Sequence, residues 1–214
     1  MLEIIVLSAA DARAAAAGGA DRVELVSAME VGGLSPAPAV VAAVRAATGI
    51  PARVMLRRDP GFAAPGPAEL RRMVRDLRAA GAEAFVLGFL DGDGHVDRAA
   101  LDVVLGELDG APWTFHRAID HAADRSAAWK ALDGLPGLDA VLTAGSPDGI
   151  ADGLPVLLVE AGDPRLLAGG GLRADHLRPL RAAGVTAFHT STAVRVDGVV
   201  DSALVRHVRT LLTE

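Results

Sequence analysis

Short apolar segments alternate with longer segments rich in alanine and arginine along the whole chain. Glycine separates a helical segment from the next apolar segment at four places: Gly19, Gly49, Gly81 and Gly184. Glycine commonly ends helices because it adopts a left-handed backbone conformation at little cost. The pattern therefore predicts repeated strand–helix units, and such units form a parallel sheet through right-handed crossovers.

The pattern predicts eight strands, near residues 2–7, 21–25, 52–57, 83–88, 112–116, 139–143, 164–168 and 186–190. Eight helices are expected near residues 9–17, 36–47, 66–80, 97–108, 122–133, 153–161, 173–183 and 199–212. The apolar run from Leu154 to Val159 also suits a strand, but Pro155 favours a helix because proline is common at the first helical position. With no linker between the units, the sequence predicts one α/β domain over residues 1–214, a small TIM (β/α)8 barrel. An open doubly wound sheet is the alternative.

The charge and composition of the chain limit the classes of molecule that it is expected to bind. The 21 basic and 27 acidic residues are scattered and give a net charge of -6, so no basic surface for nucleic acid or membrane is expected. A small anionic molecule is the expected partner. The absence of cysteine excludes disulfides, thiolate metal sites and a cysteine nucleophile. The chain opens without a signal-peptide pattern, which favours a cytoplasmic location.

Charged residues interrupt strands that should be apolar in a barrel. One short strand ends in His116, with Arg117 and Asp120 directly after it. The carboxyl ends of parallel strands are where ligands bind in such folds. The candidate catalytic residues at these strand ends are Glu3, Glu24, Arg57, His116, Arg117, Asp120 and His189. A buried unpaired charge is costly, so we expect the strand charges to pair with one another, either as a structural network or around a polar pocket.

A second group of residues suits an anion. Gly169, Gly170 and Gly171 follow the seventh predicted strand, and Thr190 and Ser191 end the eighth. Glycine lets backbone N–H groups approach an anion closely, and hydroxyls donate further hydrogen bonds. Barrels often bind phosphate at these two loops. We therefore expect an anion-binding site formed by these five residues.

Several segments resemble, in order, the signature segments of the CutC family, which is named for copper homeostasis: residues 2–4, 19–25, 30–36, 91–97, 114–120, 141–145 and 188–191. The resemblance implies a TIM barrel, a cytoplasmic location, a homo-oligomer and a role for copper. It also places the seven candidate catalytic residues on polar positions that the family shares. Relatives often carry cysteine where this chain has Ile5, Val26 and Thr190, so the resemblance does not define metal ligands here.

The residues leave three functions open. The first is copper binding, for which His116, His189 or Met55 would be the available donors; we expect it to be weak, because copper(I) prefers thiolates. The second is an enzyme with Glu24 or His116 as general acid or base, Asp120 orienting the imidazole, and Arg57 and Arg117 clamping an anion. The third is a polar barrel mouth that serves stability or a protein partner.

Overall fold

Eight parallel strands close into a barrel in the order of the chain. The computed structural model describes residues 1–213. The strands are β1 (Leu2–Val6), β2 (Arg22–Leu25), β3 (Ala52–Met55), β4 (Ala84–Leu87), β5 (Trp113–Phe115), β6 (Leu138–Thr143), β7 (Leu166–Ala168) and β8 (Ala187–Thr190). Pairing of β1 with β8 closes the ring, with Glu3 opposite His189. The predicted TIM barrel is confirmed, and the open doubly wound sheet is wrong.

Eight α-helices surround the barrel: α1 (Ala9–Ala17), α2 (Pro38–Ala47), α3 (Pro67–Ala79), α4 (Arg98–Leu108), α5 (Arg125–Ala131), α6 (Ile150–Glu160), α7 (Ala174–Ala182) and α8 (Ser202–Leu211). The outward side chains of the strands and the inner faces of most helices form one large apolar core, which includes Leu2, Ile4 and Trp113. Among the described residues, no helix is both long enough and apolar enough to cross a membrane.

The barrel interior is only partly apolar. Two small clusters lie there, one around Val26, Met55 and Val86 and the other around Leu142 and Leu167. Side chains alternate between the two faces of a strand. The charged strand residues therefore point into the barrel, on the same face as these two apolar clusters. The interior therefore leaves room for a polar site at one end.

The sixth helix begins earlier than the sequence predicts. It starts at Ile150, and Pro155 lies inside it rather than at its first position. The Ile150 N–H donates to the Gly170 carbonyl at 2.9 Å, which fixes the start of the helix against the loop after β7. Gly153 allows the first turns to lie directly on the preceding loop, because a Cβ there would be 1.9 Å from the Ala144 carbonyl oxygen. Tertiary contacts, rather than the proline, set this boundary.

Two other predicted helices are shorter. Residues 117–121 form a 3-10 helix, and α5 begins only after Asp124, whose side chain accepts from the Ala127 N–H. Residues 199–200, predicted as helix, belong to a small antiparallel hairpin of β9 (Arg195–Val196) and β10 (Val199–Val200). Asp197 and Gly198 both have positive φ in its turn, at 49° and 81°, and Asp-Gly suits such hairpin turns.

Candidate active site

A cavity of about 520 Å³ opens at the carboxyl ends of the strands. Five of the candidate catalytic residues line it: Glu24, Arg57, His116, Arg117 and His189. Four of the five candidate anion-binding residues do so too: Gly170, Gly171, Thr190 and Ser191. Glu3, Asp120 and Gly169 are not part of its lining. The strand order thus brings most of the candidates around one space.

Glu3 lies one layer below the cavity and binds His189. Its Oε1 is 2.8 Å from His189 Nδ1, and Arg22 Nε donates to its other oxygen. Burial alone would raise the pKa of Glu3, but the His189 hydrogen bond and the Arg22 charge hold this pKa at about 2. Glu3 is therefore an ionised support for His189.

Glu24 lines the cavity and has one buried carboxyl oxygen without a hydrogen-bond partner in residues 1–213. The unpaired atom is Oε1, whereas Oε2 is 3.5 Å from His189 Nε2. Burial raises the pKa of Glu24 to about 7. Burial opposes a charge on His189 as well, but the carboxylates of Glu24 and Glu3 outweigh it and raise the pKa of His189. Glu24 can therefore gain or lose a proton near neutral pH.

His116 is held as a neutral hydrogen-bond donor. Its Nδ1 accepts from the Ala118 N–H at 3.2 Å, so the proton of the neutral ring sits on Nε2. Burial and the nearby Arg57 charge lower the pKa of His116 to about 3. Nε2 is buried and has no hydrogen-bond partner among residues 1–213. The ring can therefore donate a hydrogen bond to a ligand oxygen without becoming charged.

Arg57 contributes a positive charge that no carboxylate neutralises within the described part of the chain. Its Nε donates to the Gly61 carbonyl at 2.9 Å, and Nη1 donates to the carbonyls of Gly32 and Gly33, each at 3.2 Å. Its guanidinium carbon lies 5.0 Å from the centre of the Phe62 ring. The expectation that Arg57 pairs with the strand carboxylates is wrong, because loop carbonyls and an aromatic face hold it instead.

Asp120 does not orient His116, contrary to the sequence-based expectation. Its carboxylate accepts from Arg117, Arg125, the Thr143 hydroxyl and the N–H groups of Ala144 and Gly145. These bonds fasten the loop after β5 to the loop after β6. Asp120 is thus a structural centre below the surface of the cavity, and through it Arg117 is fixed at the cavity wall.

The glycine loop after β7 presents backbone N–H groups. Gly170 and Gly171 have φ values of 94° and 82°, and their N–H groups make no hydrogen bond within residues 1–213. Gly169 differs, because its N–H donates to the Thr143 carbonyl and a Cβ there would be 2.8 Å from His189 Cβ. Gly169 therefore serves packing, while the next two glycines face the cavity.

The two hydroxyl residues at the end of β8, Thr190 and Ser191, also differ in their contacts. Thr190 Oγ1 is buried and has no hydrogen-bond partner in the described part of the chain. Ser191 Oγ accepts from Arg195 Nε at 3.3 Å and donates to Met29 Sδ at 3.6 Å. Of these two hydroxyls, that of Thr190 is the one without a partner in residues 1–213.

Sequence reasoning missed two buried or half-buried arginines below the site. Arg22 supports Glu3, and Arg53 donates to the Thr114 hydroxyl at 2.6 Å and to Asp139 at 2.5 Å. The sequence does contain a signal for these two arginines. Arg22 lies two residues before Glu24, and Arg53 lies two residues before Met55. Residues two apart share one face of a strand, so each arginine is expected on the same face as its neighbour. Phe62, Met29 and His121 also line the cavity and were not predicted.

The donors for a metal ion are dispersed. Within residues 1–213, three His, Asp or Glu ligand atoms come close enough together for one ion only at Asp91, Asp93 and His95, on an exposed turn. Met29, Met55, His116 and His189 all line the cavity, and thioether and imidazole are donors that copper accepts. The cavity therefore holds suitable donor types but no preformed cluster of three carboxylate or imidazole ligands.

Comparison with known proteins assigns the chain to a family. The model of the CutC family matches residues 1–194. A family protein CutC from Klebsiella pneumoniae is 36% identical over 197 residues, which cover 89% of this chain and 79% of that protein. The copper homeostasis protein cutC homolog of Homo sapiens is 36% identical over 199 residues, covering 89% of this chain and 72% of its own.

Solved structures agree with this assignment. The crystal structure of the putative copper homeostasis protein CutC from Streptococcus agalactiae has a TM-score of 0.77 at 28% identity, covering 90% of this chain and 98% of that chain. Phosphoribosyl anthranilate isomerase from Thermus thermophilus has a TM-score of 0.64 at 20% identity, covering 99% of this chain and 98% of its own, and shares the fold alone. The chain belongs to the CutC family.

Proposed function

We propose that this barrel is an enzyme that binds a small organic anion at its mouth and uses Glu24 to move a proton on it. One observation carries the proposal: a buried carboxyl with a free oxygen and a pKa of about 7 shares a cavity with Arg57, a guanidinium that has no acidic partner in residues 1–213. Strongly shifted groups in a cleft are typical of catalytic sites.

Each remaining residue has a role that follows from its contacts. Arg57 binds the anion and draws it into the cavity. The Nε2–H of His116 donates to a substrate oxygen on which negative charge develops, and a neutral imidazole is suited to this because it need not give up its proton. His189, held by Glu3, orients the Glu24 carboxyl. Arg117, Gly170, Gly171, Thr190 and Ser191 complete the anion-binding wall.

A ligand screen with matched variants tests the proposal. We expect small organic acids or phosphate esters to raise the melting temperature of the wild-type protein, since a ligand at a hundred times its dissociation constant adds about 2.7 kcal/mol of stability. Arg57→Gln should abolish the shift. Arg58→Gln is the control, because Arg58 lies next in the chain but is exposed and pairs with Asp59 and Glu69.

Hydrogen–deuterium exchange of a bound compound tests proton transfer separately from binding. Incubating a bound compound in D2O should exchange one of its C–H protons, as seen by ¹H NMR, and Glu24→Gln should stop the exchange while binding persists. Exchange at the wild-type rate in Glu24→Gln would overturn the role of Glu24. If no organic anion binds to the wild type at all, the proposal is wrong.

Copper handling is the second candidate. Relatives are named for copper homeostasis, and two thioethers and two imidazoles line the cavity. Without a thiolate we expect weak binding of copper(I), so a competing chelator should remove the metal. A stoichiometric copper(I) complex that survives the chelator, and that Met55→Leu weakens, would make copper the primary ligand.

We further propose that the protein is cytoplasmic and forms a homo-oligomer, as its family resemblance implies. Light scattering after gel filtration tests the oligomer, because a monomer would show the 21.9 kDa mass of the single chain.

A further inference from the structure

Two groups of hydrogen-bond donors lie at opposite sides of the barrel mouth. Arg57 follows β3, and Gly170 and Gly171 follow β7. In a closed ring of eight strands in chain order, β3 and β7 are four strands apart in both directions, so they are diametrically opposed. Both groups line the same cavity. A ligand long enough to cross the cavity would therefore meet one group at each end.

The Arg57 side suits a carboxylate. Nε and Nη1 are fixed by the carbonyls of Gly61, Gly32 and Gly33, which leaves Nη2 without an acceptor in residues 1–213. The Phe62 ring packs on the guanidinium and keeps it in place. The side chain is therefore preorganised, and it needs a negative charge from outside the protein.

The glycine side suits a phosphate or a second carboxylate. Besides Gly170 and Gly171, Leu172 has an N–H without an acceptor among residues 1–213, and all three residues line the cavity ahead of α7. A buried hydroxyl without a partner, that of Thr190, belongs to the same cavity wall on the neighbouring strand β8. Consecutive backbone N–H groups in a turn just before a helix are well suited to bind an anion.

The proton-transfer groups lie on the two arcs between these ends. Glu24 is on β2, on the arc that runs from β3 through β1 to β8, and His116 follows β5 on the other arc. Ile5, Met55 and Leu142 add apolar contacts in the same lining. The middle of a ligand that spans the mouth would therefore pass between a carboxyl and an imidazole N–H.

We propose that the substrate is a short organic acid with an anionic group at each end, a carboxylate held by Arg57 and a phosphate or carboxylate held by the loop at residues 170–172. This inference rests on the proposed function, because it names the substrate class of the same cavity. A ligand with one anionic group would leave either Arg57 or the glycine loop without a partner.

Binding of simple probes tests it. Phosphoglycolate carries both groups, whereas glycolate and methyl phosphate carry one each. We expect phosphoglycolate to bind at least about tenfold more tightly than either, since each charge-assisted contact contributes about one such factor or more. In NMR titrations, methyl phosphate should shift the amide protons of Gly170 and Gly171, glycolate should shift the Arg57 Nε proton, and phosphoglycolate should shift both sets.

Matched variants test which part of the protein binds each anionic group of phosphoglycolate. Arg57→Gln should reduce phosphoglycolate to the affinity of methyl phosphate, and Arg58→Gln should leave it unchanged. Gly171→Ala should reduce it to the affinity of glycolate, because an alanine strains the backbone that presents the N–H groups. Gly134→Ala is its control: Gly134 has a similar φ, 72° against 82°, and no neighbouring atom within 4 Å at either position.

The outcomes separate this inference from the proposed function. If glycolate or methyl phosphate binds as tightly as phosphoglycolate, the two-ended substrate is wrong while a small-anion site remains. If Gly171→Ala behaves like Gly134→Ala, the glycine loop is not the second anion site. If none of the probes binds to the wild type, both proposals are overturned.

Discussion

Four ionisable side chains in and below the candidate site form a row in which positive and negative groups alternate. Arg22, Glu3, His189 and Glu24 follow in that order from the barrel interior to the cavity. Isolated, each charge would cost several kcal/mol, so the inner members hold one another ionised. Glu24 is the last member and has the least compensation, which is why its proton, rather than that of Glu3, is available near neutral pH.

Replacing Glu24 should change how stability depends on pH. Its pKa rises from 4.5 to about 7 on folding, so the folded state binds this proton more tightly than the unfolded state does. Stability is therefore lost as pH rises from about 4.5 to about 7. We expect Glu24→Gln to gain up to about 3 kcal/mol relative to wild type between about pH 5 and about pH 8.

Urea unfolding at the two pH values measures this gain. Glu83→Gln is the control, because Glu83 is exposed and should show no such trend. A difference between Glu24→Gln and wild type that stays constant with pH would contradict a raised pKa.

Removing Glu3 should cost far more than removing a surface partner. Glu3→Gln leaves Arg22 and His189 without their carboxylate, and breaking a buried ion pair typically costs about 3 to 5 kcal/mol. Glu83→Gln breaks the exposed pair with Arg45 and should cost less than about 1 kcal/mol. Denaturant unfolding at neutral pH compares them, and equal costs would mean that Glu3 is not a structural support.

At the scale of elements, local sequence signals located the strands but not every helix boundary. Short apolar segments and glycine at helix ends are local signals, and all eight barrel strands lie near their predicted positions. The start of α6 was missed because it depends on a contact between Ile150 and Gly170, which are far apart in sequence. The hairpin at residues 195–200 did have a local signal, Asp197-Gly198 between valines, and could have been predicted.

Two helical glycines should respond in opposite ways to alanine. In Gly153→Ala the new Cβ would be 1.9 Å from the Ala144 carbonyl oxygen, so the helix must move away from the loop, at a cost of about 1 to 3 kcal/mol or more. In Gly106→Ala the Cβ meets no atom within 4 Å in α4, and stability should rise by about 0.5 to 1 kcal/mol. Thermal melts of both variants decide this, and a neutral Gly153→Ala would refute the close approach.

At the scale of the molecule, the candidate site depends on closure of the barrel. Glu3 and His189 are 186 residues apart and meet only because β1 pairs with β8. The sequence could assign Glu24, Arg57, His116 and His189 to strand ends, and a barrel then requires them to converge. It could not show that Asp120 turns to the loop after β6 or that Arg57 lacks a carboxylate, because both depend on side-chain contacts between loops.

Closure also predicts that distant parts of the barrel unfold together. Val205 on α8 is fully buried and packs on Gly18, the C-cap of α1, whereas Trp113 lies on β5, which is four strands from β1 in the ring. Val205→Ala should lower stability by about 1 to 3 kcal/mol through the lost packing. If residues 1–214 form one cooperative domain, the fluorescence of Trp113, measured in a Trp129→Phe background, should report the same loss as far-UV circular dichroism. A Trp113 transition that is unchanged by Val205→Ala would mean that the two sides of the barrel unfold independently.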